Sequence, residues 1–212
     1  GDGSSSPSGA AGGDGAGATG ATATCEWVAA RSGNPYAVDV DTPAGEVPAE
    51  GTAALAMTTS LGEIGLVLDR AGAPCAAASM LHLAGRGFFD GSACHREVDS
   101  EGLQVLQCGD PTGTGAGGPT YAFPTDVDGD ETYPRGTVAM ANGGRGLDGS
   151  QFFLVWGDST LPPDYTVVGT IDDAGLAVLD TVAANGNDGS LDPSPGGGAP
   201  NVPVTVESVV PA

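Results

Sequence analysis

Two stretches organise this chain: Ala93–Asp110, with the sequence ACHREVDSEGLQVLQCGD, and Met140–Phe153, with the sequence MANGGRGLDGSQFF. The first runs from a cation, Arg96, along an apolar segment to an amide, Gln107. The second carries further amides and apolar residues. We predict that both stretches form strands, in which alternate side chains face the same side. They would then present one cation, side-chain amides and several apolar side chains on a shared surface.

Composition limits the class of protein. The 212 residues fit one compact domain of about 150–170 residues with additional segments. The net charge of −21 argues against nucleic-acid binding and against adhesion to anionic lipid, because six arginines and no lysine oppose 27 acidic residues. A solvated acidic surface, which keeps a protein soluble, is the simplest interpretation, and we expect a monomer. Adaptation to high salt or to an acidic partner is the alternative.

The four cysteines allow three disulfide pairings, and buried free thiols are the alternative. We favour Cys94–Cys108, because these two residues flank a predicted hairpin, and this pairing leaves Cys25–Cys75. An even number of cysteines is typical of an oxidising, extracellular or cell-envelope compartment. The chain has no C-x-x-C pair, so we expect no zinc site and no other metal site.

Three regions are expected. Residues 1–24 are almost entirely small or polar, which predicts a flexible tether. Such a tether is typical of an exported protein, and a lipid could be attached through a residue before Gly1. Residues 25–50 are expected to be an extension packed on the domain, and residues 51–212 the domain itself.

Within the domain, alternation and turn residues predict a mainly β fold with about eight strands and two short helices. Closure into a barrel would remove the exposed strand edges. The predicted strands cover 52–58, 63–69, 94–97, 103–108, 137–141, 151–156, 165–171 and 202–210. The predicted helices cover 75–84 and 175–184, and a Gly/Pro/Asp-rich loop covers 185–200.

The residues around Arg96 admit two interpretations. On a groove, Arg96 would donate to a ligand oxygen or nitrogen; on the surface, it would form an ordinary salt bridge. His95 should point to the opposite face from Arg96. Because neighbouring strand residues face opposite sides, Cys94 and His95 cannot act together as nucleophile and base.

Two further motifs suggest other classes of function. The glycine loop at 113–118 lacks the Gly-Lys-Ser/Thr of a phosphate-binding loop, so it more simply allows close backbone approach. Asp126, Asp128 and Asp130 have the spacing of calcium ligands, but Thr137 stands where the bidentate Glu belongs. An exposed acidic turn is the favoured interpretation, and a calcium-dependent adhesin is the alternative.

Taken together, the motifs resemble the cyclophilin-type peptidyl-prolyl isomerases over residues 52–210, and the stretch LQCGDPTG at 106–113 is most similar to the exported actinobacterial members. The matching pieces, in chain order, are LGEI at 61–64, Ala73-Pro74, GFFDG at 87–91, His95-Arg96, QCGD at 107–110, RGTVAMAN at 135–142, GSQFF at 149–153 and YTVVG at 165–169.

The resemblance implies a fold and an activity. The fold would be a closed eight-stranded antiparallel barrel capped by two helices, and the reaction would be isomerisation of X-Pro bonds without any cofactor. Arg96 would assist the twisted amide, and Gln107 would orient Arg96. The expected substrate-binding residues are Leu103, Val105, Ala141, Asn142, Gln151, Phe153, Leu161 and Tyr165. The expected partners are proline-containing segments of exported proteins.

The chain also departs from the common pattern. Three additional residues between Arg96 and Gln107 are expected to make residues 97–102 bulge. Val105 then matches the usual Met of the pocket better than Leu103 matches the usual Phe. Thr160 stands where many members have a Trp, so we expect weak cyclosporin binding. These departures leave a second hypothesis open, a proline-peptide-binding or chaperone-like module with little turnover.

Overall fold

The computed structural model describes residues 20–212, so most of the predicted tether and any lipid attachment lie outside the described residues. Two helices are present in this range, α1 Pro74–Gly85 and α2 Asp173–Asn185. The strands are β1 Thr22–Thr24, β2 Val28–Ala29, β3 Ala37–Val38, β4 Glu46–Pro48, β5 Thr52–Thr59, β6 Gly62–Asp69, β7 Ser92–Ala93, β8 Arg96–Ser100, β9 Leu103–Cys108, β10 Gly118–Pro119, β11 Tyr121–Pro124, β12 Thr137–Asn142, β13 Leu147–Gly157, β14 Val167–Ile171 and β15 Thr205–Pro211.

Local chemistry explains where the helices begin. Pro74 opens α1, where its missing N–H costs nothing and its fixed φ suits the first turn. At α2, the side chain of Asp172 accepts a hydrogen bond from the Gly175 N–H and so caps the helix. Both helices bury one side against the sheet. No helix among residues 20–212 is long and apolar enough to cross a membrane.

Nine strands form a curled half-barrel in the order β7-β15-β5-β6-β14-β12-β13-β9-β8. The expectation of a closed eight-stranded barrel is therefore wrong. The end strands β7 and β8 follow each other in the chain, but no ladder joins them. Just after β7, the Cys94 N–H donates to the Val204 carbonyl, next to the start of β15. At β8, Glu97 pairs instead with Gly198, which lies in a loop.

Strand alternation divides the buried residues between two faces. One face, with Leu106, Phe152 and Leu154, joins the main core beneath both helices. The other face carries a smaller apolar cluster, which consists of Val98, Val105, Tyr133, Ala139, Phe153 and Val155. This second face holds the candidate site.

Both disulfides form in the favoured pairing, Cys25–Cys75 and Cys94–Cys108. The first ties the N-terminal extension to α1. The extension then adds β2 to β11 and β3 to β10, and Trp27 packs edge-on against Tyr121. It thereby forms a wall beside the sheet.

The expected bulge at 97–102 is also wrong. β8 and β9 pair without a break from Arg96 opposite Gln107 to Ser100 opposite Leu103. The additional residues lengthen the hairpin, whose two-residue turn ends at Gly102 with a φ of 80°. A glycine adopts this φ without a steric cost, so the ladder stays regular and the insertion lies at the tip.

Candidate active site

Strand register brings the predicted site residues onto one face. Gln107 of β9 lies between Arg96 of β8 and Phe153 of β13, and Phe153 in turn lies opposite Ala139 of β12. Alternate residues therefore project from four adjacent strands toward the same side.

These side chains enclose a cavity of about 330 Å³, which we call the proline pocket. Nine of the ten predicted site residues line it: Arg96, Leu103, Val105, Gln107, Ala141, Asn142, Phe153, Leu161 and Tyr165. The tenth, Gln151, lines a neighbouring cavity of about 780 Å³, which we call the side cavity. Gln107, Ala141 and Asn142 line both cavities, so the two form one groove.

Arg96 is half-buried, and its hydrogen-bond acceptors are carbonyl oxygens rather than a carboxylate. Its Nε–H donates to the Gly196 carbonyl at 2.9 Å, its Nη2 to the Pro195 carbonyl at 2.8 Å, and its Nη1 to Gln107 Oε1 at 3.1 Å. Among the described residues it forms no ion pair, so the surface salt-bridge interpretation is wrong. Burial lowers the pKa of Arg96, but a guanidinium stays protonated in proteins.

A chain of amides fixes the position of Gln107. Gln107 Nε2 donates to Gln151 Oε1 at 2.9 Å, and Gln151 Nε2 donates to the carbonyls of Gly115 and Gly117, both at 3.0 Å. These hydrogen bonds fix the orientation of both side-chain amides, so Gln107 directs its Oε1 toward Arg96. The expected hydrogen bond between Gln107 and Arg96 is present, and the orienting role of Gln107 stays a prediction.

The glycine loop that supports this chain is folded around Asp110. The carboxylate accepts hydrogen bonds from the N–H groups of Thr112, Gly115 and Gly117. Burial raises the pKa of Asp110, but hydrogen bonds from the Thr112 hydroxyl and from these N–H groups outweigh burial and lower the pKa overall. A Cβ at Gly117 would lie 2.0 Å from Asp110 Oδ1, so only glycine fits there. The glycines thus let the main chain of the loop approach the carboxylate of Asp110 closely.

Aromatic rings form the apolar side of the proline pocket. Phe153 and Tyr165 pack edge to face with ring centroids 5.5 Å apart, and Tyr133 lies behind both at 6.2 and 6.1 Å. The Tyr133 hydroxyl donates to the Tyr165 carbonyl and accepts from the Tyr165 N–H. Sequence reasoning missed Tyr133, because its position in a loop offers no periodicity.

The loop that follows α2 also contributes to the site. Pro195 lines the proline pocket, which sequence reasoning did not predict. Buried Glu97 anchors this loop by accepting a hydrogen bond from Asn187 and by pairing its main chain with Gly198. Desolvation raises the pKa of Glu97 above its ordinary value, and the hydrogen bond from Asn187 opposes that rise.

The remaining candidates lie apart from the groove. Residues 126–130 form an exposed turn in which Glu131 accepts hydrogen bonds from the N–H groups of Asp128 and Gly129. No group of three or more metal-ligating side chains occurs among residues 20–212. Cys94 is in a disulfide, and desolvation lowers the pKa of the His95 ring. Thr160 is exposed, and its N–H donates to the Gly102 carbonyl.

Comparison with known proteins points to one family. The model of the family "Cyclophilin type peptidyl-prolyl cis-trans isomerase/CLD" matches residues 54–210. A probable peptidyl-prolyl cis-trans isomerase B from Mycobacterium leprae is 46% identical over 78% of this chain and 59% of its own length, and that from Mycobacterium tuberculosis is 44% identical over 78% and 57%. The chain therefore spans less than two thirds of these relatives, and their identity confirms the actinobacterial similarity.

Solved structures agree with this assignment. A cyclophilin-type isomerase of Cryptosporidium parvum is 25% identical with a TM-score of 0.65, covering 76% of this chain and 98% of that one. The same protein in the presence of the dipeptide Ala-Pro gives 26% identity and a TM-score of 0.64, covering 75% and 98%. By the family model, the relatives and these structures, the chain belongs to the cyclophilin-type peptidyl-prolyl cis-trans isomerase family.

Proposed function

We propose that this chain catalyses cis-trans isomerisation of X-Pro bonds, with Arg96 as the donor that favours the twisted amide. The observation that carries the proposal is the position of Arg96. Three of its five N–H groups are used within the described residues, and the guanidinium still lines the proline pocket. The remaining N–H groups are available to a bound peptide.

The chemistry needs little more. Amide resonance sets a barrier of about 18–20 kcal/mol to rotation about the X-Pro peptide bond, and no covalent bond is made or broken. In the twisted state the prolyl nitrogen gains a lone pair, to which Arg96 donates. Phe153, Leu161 and Tyr165 hold the ring, and the main chain at Asn142 pairs with the peptide. Contacts made only in the twisted state lower the barrier without trapping either planar isomer.

The expected substrates are proline-containing segments of exported proteins, and the protein is expected to work outside the cytoplasm. Two disulfides support this proposal, because such bonds persist in oxidising compartments. The dipeptide Ala-Pro was present in one of the related structures, which supports a proline-containing peptide as the ligand.

The decisive experiment is a protease-coupled assay with a chromogenic Ala-Pro peptide, with peptide affinity measured in parallel. Turnover well above the uncatalysed rate supports the enzyme. Tight peptide binding with turnover at the uncatalysed rate would instead favour the peptide-binding module. One observation favours that alternative. The carbonyls of Pro195 and Gly196 accept hydrogen bonds from Arg96, so two of the N–H groups of Arg96 are already used within the protein.

A further inference from the structure

The side cavity has a wall that lies outside the region matched by the family model. Residues 29–32 and Asn34 of the N-terminal extension line it on one side, whereas the match to the family model begins at residue 54. The pairing of β2 with β11 holds this wall, and Asn34 Nδ2 donates to the Ala116 carbonyl at 2.9 Å. The Cys25–Cys75 disulfide anchors the start of the extension.

The exposed charges that line the side cavity are opposite in sign to the net charge of the protein. Arg31, on the extension, and Arg145, on the turn between β12 and β13, both line the cavity and both are exposed. The acidic residue in the lining, Asp148, is fully buried, and its oxygens accept hydrogen bonds from the hydroxyls of Thr125 and Thr166. The exposed charges of this lining are therefore positive, in a chain with a net charge of −21.

The distribution of the six arginines makes this placement selective. Arg86 pairs with Asp41 and Arg135 with Asp180. Three of the other four, Arg31, Arg96 and Arg145, line the groove formed by the two cavities. Among residues 20–212 none of these three forms an ion pair. Half of the cations of a strongly acidic protein thus face one groove with their charge uncompensated.

We propose that the side cavity selects peptides that carry an Asp or Glu side chain within about three residues of the isomerised proline. This inference deepens the proposed function and rests on it. A peptide continuing from the proline pocket past Ala141 and Asn142 advances about 3.4 Å per residue, so its neighbouring side chains reach the side cavity. Arg31 and Arg145 line that cavity, and a guanidinium is a planar donor suited to a carboxylate.

The expected sign is distinctive. A surface with a net charge of −21 repels acidic peptides, so a groove without the two arginines would disfavour Glu relative to Gln. With them, two exposed ion pairs should favour Glu by about three- to tenfold in kcat/KM. The preference should weaken at about 1 M salt, where the Debye length falls to about 3 Å.

The test uses the full chain and neutral proline peptides in which a single residue is Glu or Gln, at each of the three positions before and after proline. Both kcat/KM and affinity by fluorescence anisotropy are measured. We expect at least one position to favour Glu by three- to tenfold, about the range of two exposed pairs. We expect the Glu/Gln ratio to fall to one or below in the Arg31→Gln/Arg145→Gln variant. Arg70→Gln is the matched control, because Arg70 lines neither cavity, and it should keep the ratio.

Two results would overturn the inference: Gln preferred or equal at every position, or a Glu preference that persists in the double variant. Failure of the proposed function is recognised separately, since it abolishes turnover of the neutral peptides as well. In that event the Glu/Gln ratio of peptide affinities decides the inference alone.

Discussion

Replacement of Arg96 by Ala separates the role of this residue in the reaction from its role in the fold. The substitution removes the proposed donor to the peptide, and loss of one transition-state donor commonly lowers the rate by about 10²–10³-fold, or about 2.7–4 kcal/mol. We expect kcat/KM to fall by this amount. Because the donor acts mainly on the twisted amide, peptide affinity should change by only about threefold.

The same substitution also affects stability. It deprives the carbonyls of Pro195 and Gly196 and the Oε1 of Gln107 of a donor. At about 0.5–1.5 kcal/mol net per hydrogen bond, the free energy of unfolding should fall by on the order of 2–4 kcal/mol. Activity must therefore be measured at low temperature, on protein whose near-ultraviolet circular dichroism matches that of the wild type.

Two further variants complete the design. Arg135→Ala removes an arginine that donates to Asp180 and to the Trp156 carbonyl outside the groove, so it should lower stability and leave kcat/KM unchanged. Arg96→Lys keeps the charge but loses the planar fork, and its rate should lie nearer to that of Arg96→Ala than to wild type. A folded Arg96→Ala protein with a rate within about threefold of wild type would refute the proposed mechanism.

Three other outcomes test the surroundings of the site. Gly117→Ala places a Cβ 2.0 Å from Asp110 Oδ1, so both kcat/KM and melting temperature should fall; a variant with wild-type values would contradict the supporting role of the glycine loop. Burial raises the pKa of Glu97 above its ordinary value of 4.5, so its contribution to stability is complete below that pH and is lost as pH rises through the pKa of the folded state; in denaturant titrations Glu97→Gln should therefore gain stability relative to wild type as pH rises above about 4.5, and equal pH dependence would exclude this account. Removing the Cys25–Cys75 disulfide, which spans 50 residues, should lower the free energy of unfolding by about 4 kcal/mol. Two unfolding transitions would instead show that the extension unfolds independently of the domain.

Most of the proline pocket was predicted from the family resemblance, whose motifs keep a fixed order along the chain, and most of its residues lie on strands. Alternation places Val105 and Gln107 on one face of β9, and the register that pairs Phe153 with Gln107 puts Phe153 of β13 on the same face of the sheet. The pairing Cys94–Cys108 followed from the same hairpin. Where the chain contains loops, no such periodicity exists, and Tyr133 and Pro195 were missed for that reason.

The sequence alone was sufficient for the family, the strand faces and the identity of Arg96 as the central cation, since these depend on local patterns and on motifs in a fixed order. Only the tertiary structure decided how the elements meet. It showed that the half-barrel stays open where Glu97 pairs with a loop, and that the insertion extends a regular hairpin. It also brought Arg31 and Arg145, more than a hundred residues apart in the chain, to one cavity, because long-range pairing and a disulfide position them rather than any local signal.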